Sequence, residues 1–198
     1  GTRGDLRQNP LRGNGALEQE FQVLMFDQRG LGQTGKPEGP YTMADYADDA
    51  VALLDALGWE RAHVVGTSFG GMVAQHVAIR HPQRVNRLVL ACTSSGGEGG
   101  ASYDLLALAD RPEDERFRVT MSINDSRNAF TVDPPVMEPF TAMIVPYLRD
   151  APQPEPGSVE ERGARLQLEA RAAHDTWADL PSVTLPTLVV GGRDDLLA

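Results

Sequence analysis

Short apolar runs and helix-spaced apolar stripes alternate along the chain. Phe21-Gln-Val-Leu-Met-Phe26, Ala62-His-Val-Val-Gly66, Val85 to Cys92 and Thr187-Leu-Val-Val-Gly191 read as strands, the third broken near its start by polar Asn86-Arg87. Their β-branched and aliphatic runs are continuous rather than alternating, as expected of strands covered on both faces. Met43, Tyr46, Ala47, Ala50, Leu53, Leu54 and Leu57 recur at helical spacing and predict a helix over 41–57. Thr42 suits its start and Gly58 its end. Asp45, Asp48, Asp49 and Asp55 fall off that stripe and are expected to form a solvated face. A further helix is expected over 71–81, stopping before Pro82. Alternating strands and helices predict an α/β fold, a mostly parallel sheet flanked by helices.

The third and fourth strands are separated by far more than the dozen or so residues that a plain crossover needs. The excess predicts an inserted helical cap over 94–180, with the core formed by 1–93 and 181–198. Residues 94–100, Ser-Ser-Gly-Gly-Glu-Gly-Gly, read as a flexible exit, and helical patterns follow at 103–110, 113–123 and 135–148. The last of these carries Val136, Met137, Phe140, Met143, Ile144, Tyr147 and Leu148 along one side. Pro152, Pro154 and Pro156 predict a stiff link, after which Ser158 and Glu161 have the spacing of a capping box that opens a long helix. No internal repeat or long low-complexity segment occurs.

Composition narrows the function classes. The 198 residues are 41% hydrophobic and 23% charged, ordinary for a folded globular chain. With 28 acidic residues against 18 Lys and Arg, the net charge is −10, which repels phosphate backbones and predicts no nucleic-acid partner. No apolar run approaches the roughly 18 residues of a membrane span, so no membrane partner is expected. No secretory leader pattern opens the chain, and the lone Cys92 permits no internal disulfide. A cytoplasmic location is therefore expected, with Cys92 an inert buried strand residue. No metal-ligand spacing appears, so neither metal nor cofactor is expected. Gly30-Leu-Gly-Gln-Thr-Gly35 matches a dinucleotide fingerprint, but Lys36-Pro37 and Pro40 bar the helix that such a site needs. Oligomeric state is not legible.

The chemistry-bearing signal is Gly66-Thr67-Ser68-Phe69-Gly70, a G-x-S-x-G run between a predicted strand and a predicted helix. A serine at the apex of so sharp a turn is held in a strained backbone, and bare residues two positions away on each side let strand and helix approach. Gly66 and Gly70 meet that requirement, and Gly71 extends it. The turn presents the Ser68 hydroxyl near the positive end of the following helix.

The chain here resembles the α/β-hydrolase superfamily, in its small capped branch of serine esterases, lactonases and C–C hydrolases. Besides the elbow, Asp27-Gln-Arg-Gly-Leu-Gly-Gln-Thr34 resembles that family's D-x-R-G-x-G-x-S loop, with Thr34 for the usual serine. His81-Pro-Gln-Arg-Val85 resembles its link out of the nucleophile helix, and Gly191-Gly-Arg-Asp-Asp195 its acid loop. The resemblance implies Ser68 as nucleophile and Asp195 as the triad acid, with Asp194 the alternative. It implies oxyanion donors from the backbone of Phe69 and, in the loop-like run Gly1-Thr2-Arg3-Gly4, of Thr2. Phe140, Met143, Ile144, Tyr147 and Trp177 are candidate linings of a partly hydrophobic substrate pocket. The expected partner is a small ester, lactone or related acyl compound; acyl transfer, perhydrolysis and C–C cleavage are not separable from hydrolysis on these residues.

The triad order Ser, Asp, His leaves a gap, because His63, His76, His81 and His174 all precede Asp195. His76 lies eight positions beyond Ser68, about 12 Å along the same helix. His174 is the one imidazole positioned to approach from the cap. These features predict a fragment cut at both ends, with little or no turnover by itself. Two other readings stay open: a non-catalytic ligand-binding protein on the same fold, and an aminopeptidase suggested by Asp27-Gln-Arg-Gly30.

Overall fold

The computed structural model describes residues 5–6, 15–124 and 154–195. After a single turn, α1 (Gly15–Glu18), the first long helix is α2 (Met43–Ala56). Its start is a reciprocal cap: the Thr42 hydroxyl accepts from the Asp45 N–H, and the Asp45 carboxylate accepts from the Thr42 N–H at 2.8 Å. Leu57 ends it and Gly58 turns the chain at φ +69°. Met43, Tyr46, Ala47, Val51 and Leu54 form the buried stripe, while Leu57 is exposed.

Strand β1 (Ala62–Thr67) leads into α3 (Phe69–Arg80), and β2 (Val85–Ala91) follows. Beyond β2 lie α4 (Leu105–Ala109), α5 (Glu113–Asn124) and α6 (Val159–Ala172), before β3 (Thr187–Val190) returns to the sheet. The described strands form one parallel sheet in the order β1-β2-β3. Thr67 pairs with Ala91 and Ala91 with Val190, so all three strands end at one level. The core lies on one side of this sheet, where α2 and α3 pack: Tyr46 and Phe69 meet edge to face at 5.0 Å, among Met72, Val73, Val77, Val85 and Leu88.

Several expectations are corrected. Phe21–Phe26 is not a strand: no described strand pairs with it, and Phe21 and Met25 are exposed. Nor are the strands covered on both faces, for Val65 is 62% exposed and Val189 70%. Residues 94–100 are pinned rather than flexible. Gly96 bridges Asp175, and the Thr176 N–H donates to the Ser95 carbonyl at 2.8 Å. A Cβ on Gly96 would stand 2.0 Å from the His174 carbonyl oxygen, which fixes glycine there. Ser158 caps α6 as expected, but the Glu161 carboxylate takes the N–H of Gly157 rather than that of Ser158. Cys92 is the first residue off β2, half-buried at φ +47°, with its N–H donating to the Val190 carbonyl. The pattern 135–148 and Pro152 lie outside the described residues.

The four aspartates of α2 are partnered rather than merely solvated. Asp49 takes a two-pronged bond from Arg29 at 2.6 and 2.7 Å. Asp48 takes Arg80 and His81, Asp55 takes Arg84, and Asp45 serves the cap. Off-stripe charge reads as solvent-facing only while the sequence-distant cations are unseen.

Candidate active site

Ser68 is the one residue between β1 and α3, with φ +54° and ψ −122°. That left-handed region is costly for a side chain with a Cβ and persists only where its surroundings dictate it. Here they do. The Ser68 N–H donates to the Ala91 carbonyl at 2.9 Å, tying the turn to the end of β2. The Ser68 carbonyl accepts from Gly71 at 2.8 Å, Met72 at 3.2 Å and the Thr93 hydroxyl at 2.9 Å.

The elbow glycines divide. A Cβ on Gly66 would stand 2.3 Å from the Gly70 carbonyl oxygen and 2.6 Å from the Gly71 Cα. One on Gly71 would meet the Thr93 side chain at 2.6 Å. Gly70, expected to be bare for close approach, faces open space, so the steric requirement falls on Gly66 and Gly71. Thr93 is the residue that sequence reasoning missed. The available signal was a small hydroxyl side chain two residues past β2, the strand that neighbours β1.

Phe69 is 2% exposed, and its ring locks into Tyr46. That anchors its backbone N–H at the first position of α3, where a helix leaves its N–H groups without intrahelical partners. The half-exposed Ser68 hydroxyl and this N–H sit together at the helix's positive end. Asp195 is half-buried beyond β3, at the same sheet edge from which Ser68 emerges; Asp194 lies beside it. With one strand between β1 and β3, their ends are about 10 Å apart. Thr2 lies outside the described residues, as do Phe140, Met143, Ile144 and Tyr147. Trp177 is 49% exposed, its ring against Gly99.

None of the four imidazoles hydrogen-bonds Ser68. His81 bonds Asp48 at 2.7 Å, and exposed His63 meets the Phe21 ring edge-on. His76 Nε2 and His174 Nδ1 are 3.2 Å apart, and His174 Nε2 is 3.1 Å from the Ser94 carbonyl. The carbonyl requires a proton on His174 Nε2, so His174 Nδ1 accepts from His76. Both nitrogens of His174 are thus occupied, and it makes no hydrogen bond to Ser68. Burial, then the neighbouring imidazole, pushes His76 down to about 4; burial also lowers His174.

The loop resembling D-x-R-G-x-G-x-S is a self-closed scaffold. Asp27 accepts from the N–H groups of Leu6 and Gln33, and the Thr34 hydroxyl donates to the Asp27 carbonyl. Arg29 joins the loop to α2 through Asp49. Gly32, at φ +49°, leaves no room for a Cβ beside the Asp27 carboxylate. No helix begins at Gly35; the next one starts at Met43.

A family model described as "alpha/beta hydrolase fold" matches residues 12–198. The chain is 30% identical over 195 residues to a 2-hydroxymuconate semialdehyde hydrolase of Pseudomonas putida, covering 89% of this chain and 61% of that protein. It is 29% identical over 179 residues to 3-oxoadipate enol-lactonase 2 of Acinetobacter baylyi, covering 90% and 63%. Among solved structures, an enol-lactonase from Burkholderia xenovorans LB400 superposes with a TM-score of 0.70 at 24% identity, covering 90% of this chain and 65% of that one; at that identity the likeness is one of fold. The chain spans less than two thirds of the length of each of these relatives.

Proposed function

The chain belongs to the alpha/beta hydrolase family, and on that premise we propose that it carries the nucleophile and acid of a serine hydrolase for small esters, lactones or related acyl compounds. The Ser68 oxygen attacks the acyl carbonyl carbon, its proton passes to a histidine, and the leaving group takes that proton as the acyl-enzyme forms. Water then attacks the acyl-enzyme, giving up a proton to the same imidazole, and the acid leaves as Ser68 regains its hydrogen. Asp195 orients the imidazole and stabilises its charged form, with Asp194 as alternative. The Phe69 N–H and that of Thr2 receive the negative charge that develops on the carbonyl oxygen. Residues 94–180 act as the cap over the site. Since His63, His76, His81 and His174 are engaged elsewhere, the base is a histidine beyond residue 198, and the 198-residue chain alone turns over little.

The observation that carries this reading is the left-handed Ser68 backbone held between Gly66 and Thr93. The relatives named a semialdehyde hydrolase and an enol-lactonase support the substrate range. The test assays the protein, extended through its own reading frame to the next histidine, on p-nitrophenyl esters, lactones and amino-acid anilides. Ser68→Ala is expected to lower kcat on the esters or lactones by on the order of 10⁴-fold or more. Activity unchanged in Ser68→Ala sinks the nucleophile assignment, and turnover confined to the anilides moves the protein to the aminopeptidases. The four engaged imidazoles favour a second reading, a ligand-binding protein on this fold. It takes over if the extended protein binds acyl compounds without turnover.

A further inference from the structure

The last turn of α6 buries a cation, Arg171, whose one described charged neighbour is Asp104, beyond ion-pair distance. Arg171, in the last turn of α6, is 6% exposed. Its Nη1 donates to the Tyr103 carbonyl at 2.7 Å, while its Nε is buried with no hydrogen-bond partner. Among the described residues no carboxylate lies within ion-pair distance of it. Asp104 offsets part of the cost of burying this charge, but burial still opposes it, and no carboxylate pairs it directly.

The guanidinium forms part of the wall of a cavity of about 210 Å³ between the first turn of α3, the 94–104 segment and the end of α6. Met72 and Ala101 supply apolar wall, and Ser94, Ser102 and His174 supply polar groups. The Ser94 hydroxyl is buried and also has no partner. His174 is neutral here, its ring nitrogens already committed. Asp104 stands at the rim, with one carboxylate oxygen occupied by the Ala107 N–H. One permanent cation, an unused hydroxyl, apolar wall and one acid at the rim suit a singly charged planar anion better than a phosphate.

We propose that this cavity is a binding site for a small carboxylate, held by Arg171 with Ser94. The carboxylate belongs either to a free organic acid or to an arm of an acyl substrate. The test follows acetate and propionate binding to the purified protein by saturation-transfer NMR, with Arg171→Met and Ser94→Ala alongside. Saturable binding is expected, weakened about tenfold or more by Arg171→Met and severalfold by Ser94→Ala. If Arg171→Met does not fold, Ser94→Ala decides, since the backbone carbonyl of residue 94 still serves Gln75 and His174. Equal affinity in the folded variants, or no saturation in the parent, overturns the site. p-Nitrophenyl hemisuccinate separates the two sources. Competition with acetate assigns the carboxylate to a substrate arm; acetate binding without competition assigns it to a free acid. Both outcomes uphold the site, and neither needs turnover, so a failure of the Ser68 assignment would not be mistaken for its failure.

Discussion

β1 and β3 flank the same central strand and end level with one another, yet their ends are built differently. Beyond β1, the Ser68 N–H and carbonyl are both bonded, two glycines touch backbone or side chain, and the next ring is buried. Along β3, Leu188, Val189 and Val190 are all about half exposed or more, and β2 is the principal neighbour. The Ser68 backbone is held against strain, so its turn is over-determined. β3 is fixed mainly by its height and register against β2. Precision is therefore concentrated at one edge of the site, and Thr93 belongs to that edge although the motif does not contain it.

The contrast can be broken most sharply at the glycines. Gly66→Ala is expected to cost about 3 kcal/mol or more, or to prevent folding, because the new Cβ meets backbone. Gly70→Ala, entering open space in the first turn of α3, is expected to be neutral or stabilising by about 0.5–1 kcal/mol. Urea midpoints of the two variants check both, and similar losses in the two would sink the steric account.

A smaller effect comes from acid. His76, and with it His174, titrates lower in the folded chain than the ordinary 6.5. The unfolded chain therefore binds more protons between about pH 6.5 and pH 4, and stability falls as pH drops through that window. Discounting for partial exposure, the loss is about 1–2 kcal/mol. Denaturation midpoints of the parent and of His174→Gln across this range test it; equal slopes would discharge the pair from the role. Smallest of all, Val189→Thr on β3 is expected to shift the 198-residue chain by no more than about 0.5 kcal/mol. A loss above 2 kcal/mol would mean that β3 is packed far more tightly than its exposure implies.

Much of the fold was legible because its signals are local. Thr42 as a cap, the stripe from Met43 to Leu54, and the apolar runs after Arg61 and Arg84 each reveal an element without reference to distant residues. The elbow was legible for the same reason: one strand, one serine and one helix in a row. What escaped depends on partners far along the chain. Phe21–Phe26 has a strand's composition but no described strand beside it. Asp48, Asp49 and Asp55 meet arginines that no periodicity announces. The exit at 94–100 looked loose because its glycines suggest freedom, whereas Gly96 is there to let the His174 backbone come close.

That close approach has a kinetic consequence. The chain leaves the sheet at Ala91 and rejoins it at Thr187, a long-range pairing of the kind that slows folding. The clasp of Ser95 and Gly96 on Asp175 and Thr176 gathers the intervening loop at its neck. Once it has closed, β3 needs only a short tether to find β2, and the closure entropy, about 0.6 kcal/mol for each doubling of loop length, has already been met at the neck. Insertions or deletions between the clasp points thus alter how fast the neck forms and leave sheet assembly nearly untouched. The segment between the clasp points can change in length while the sheet keeps its register.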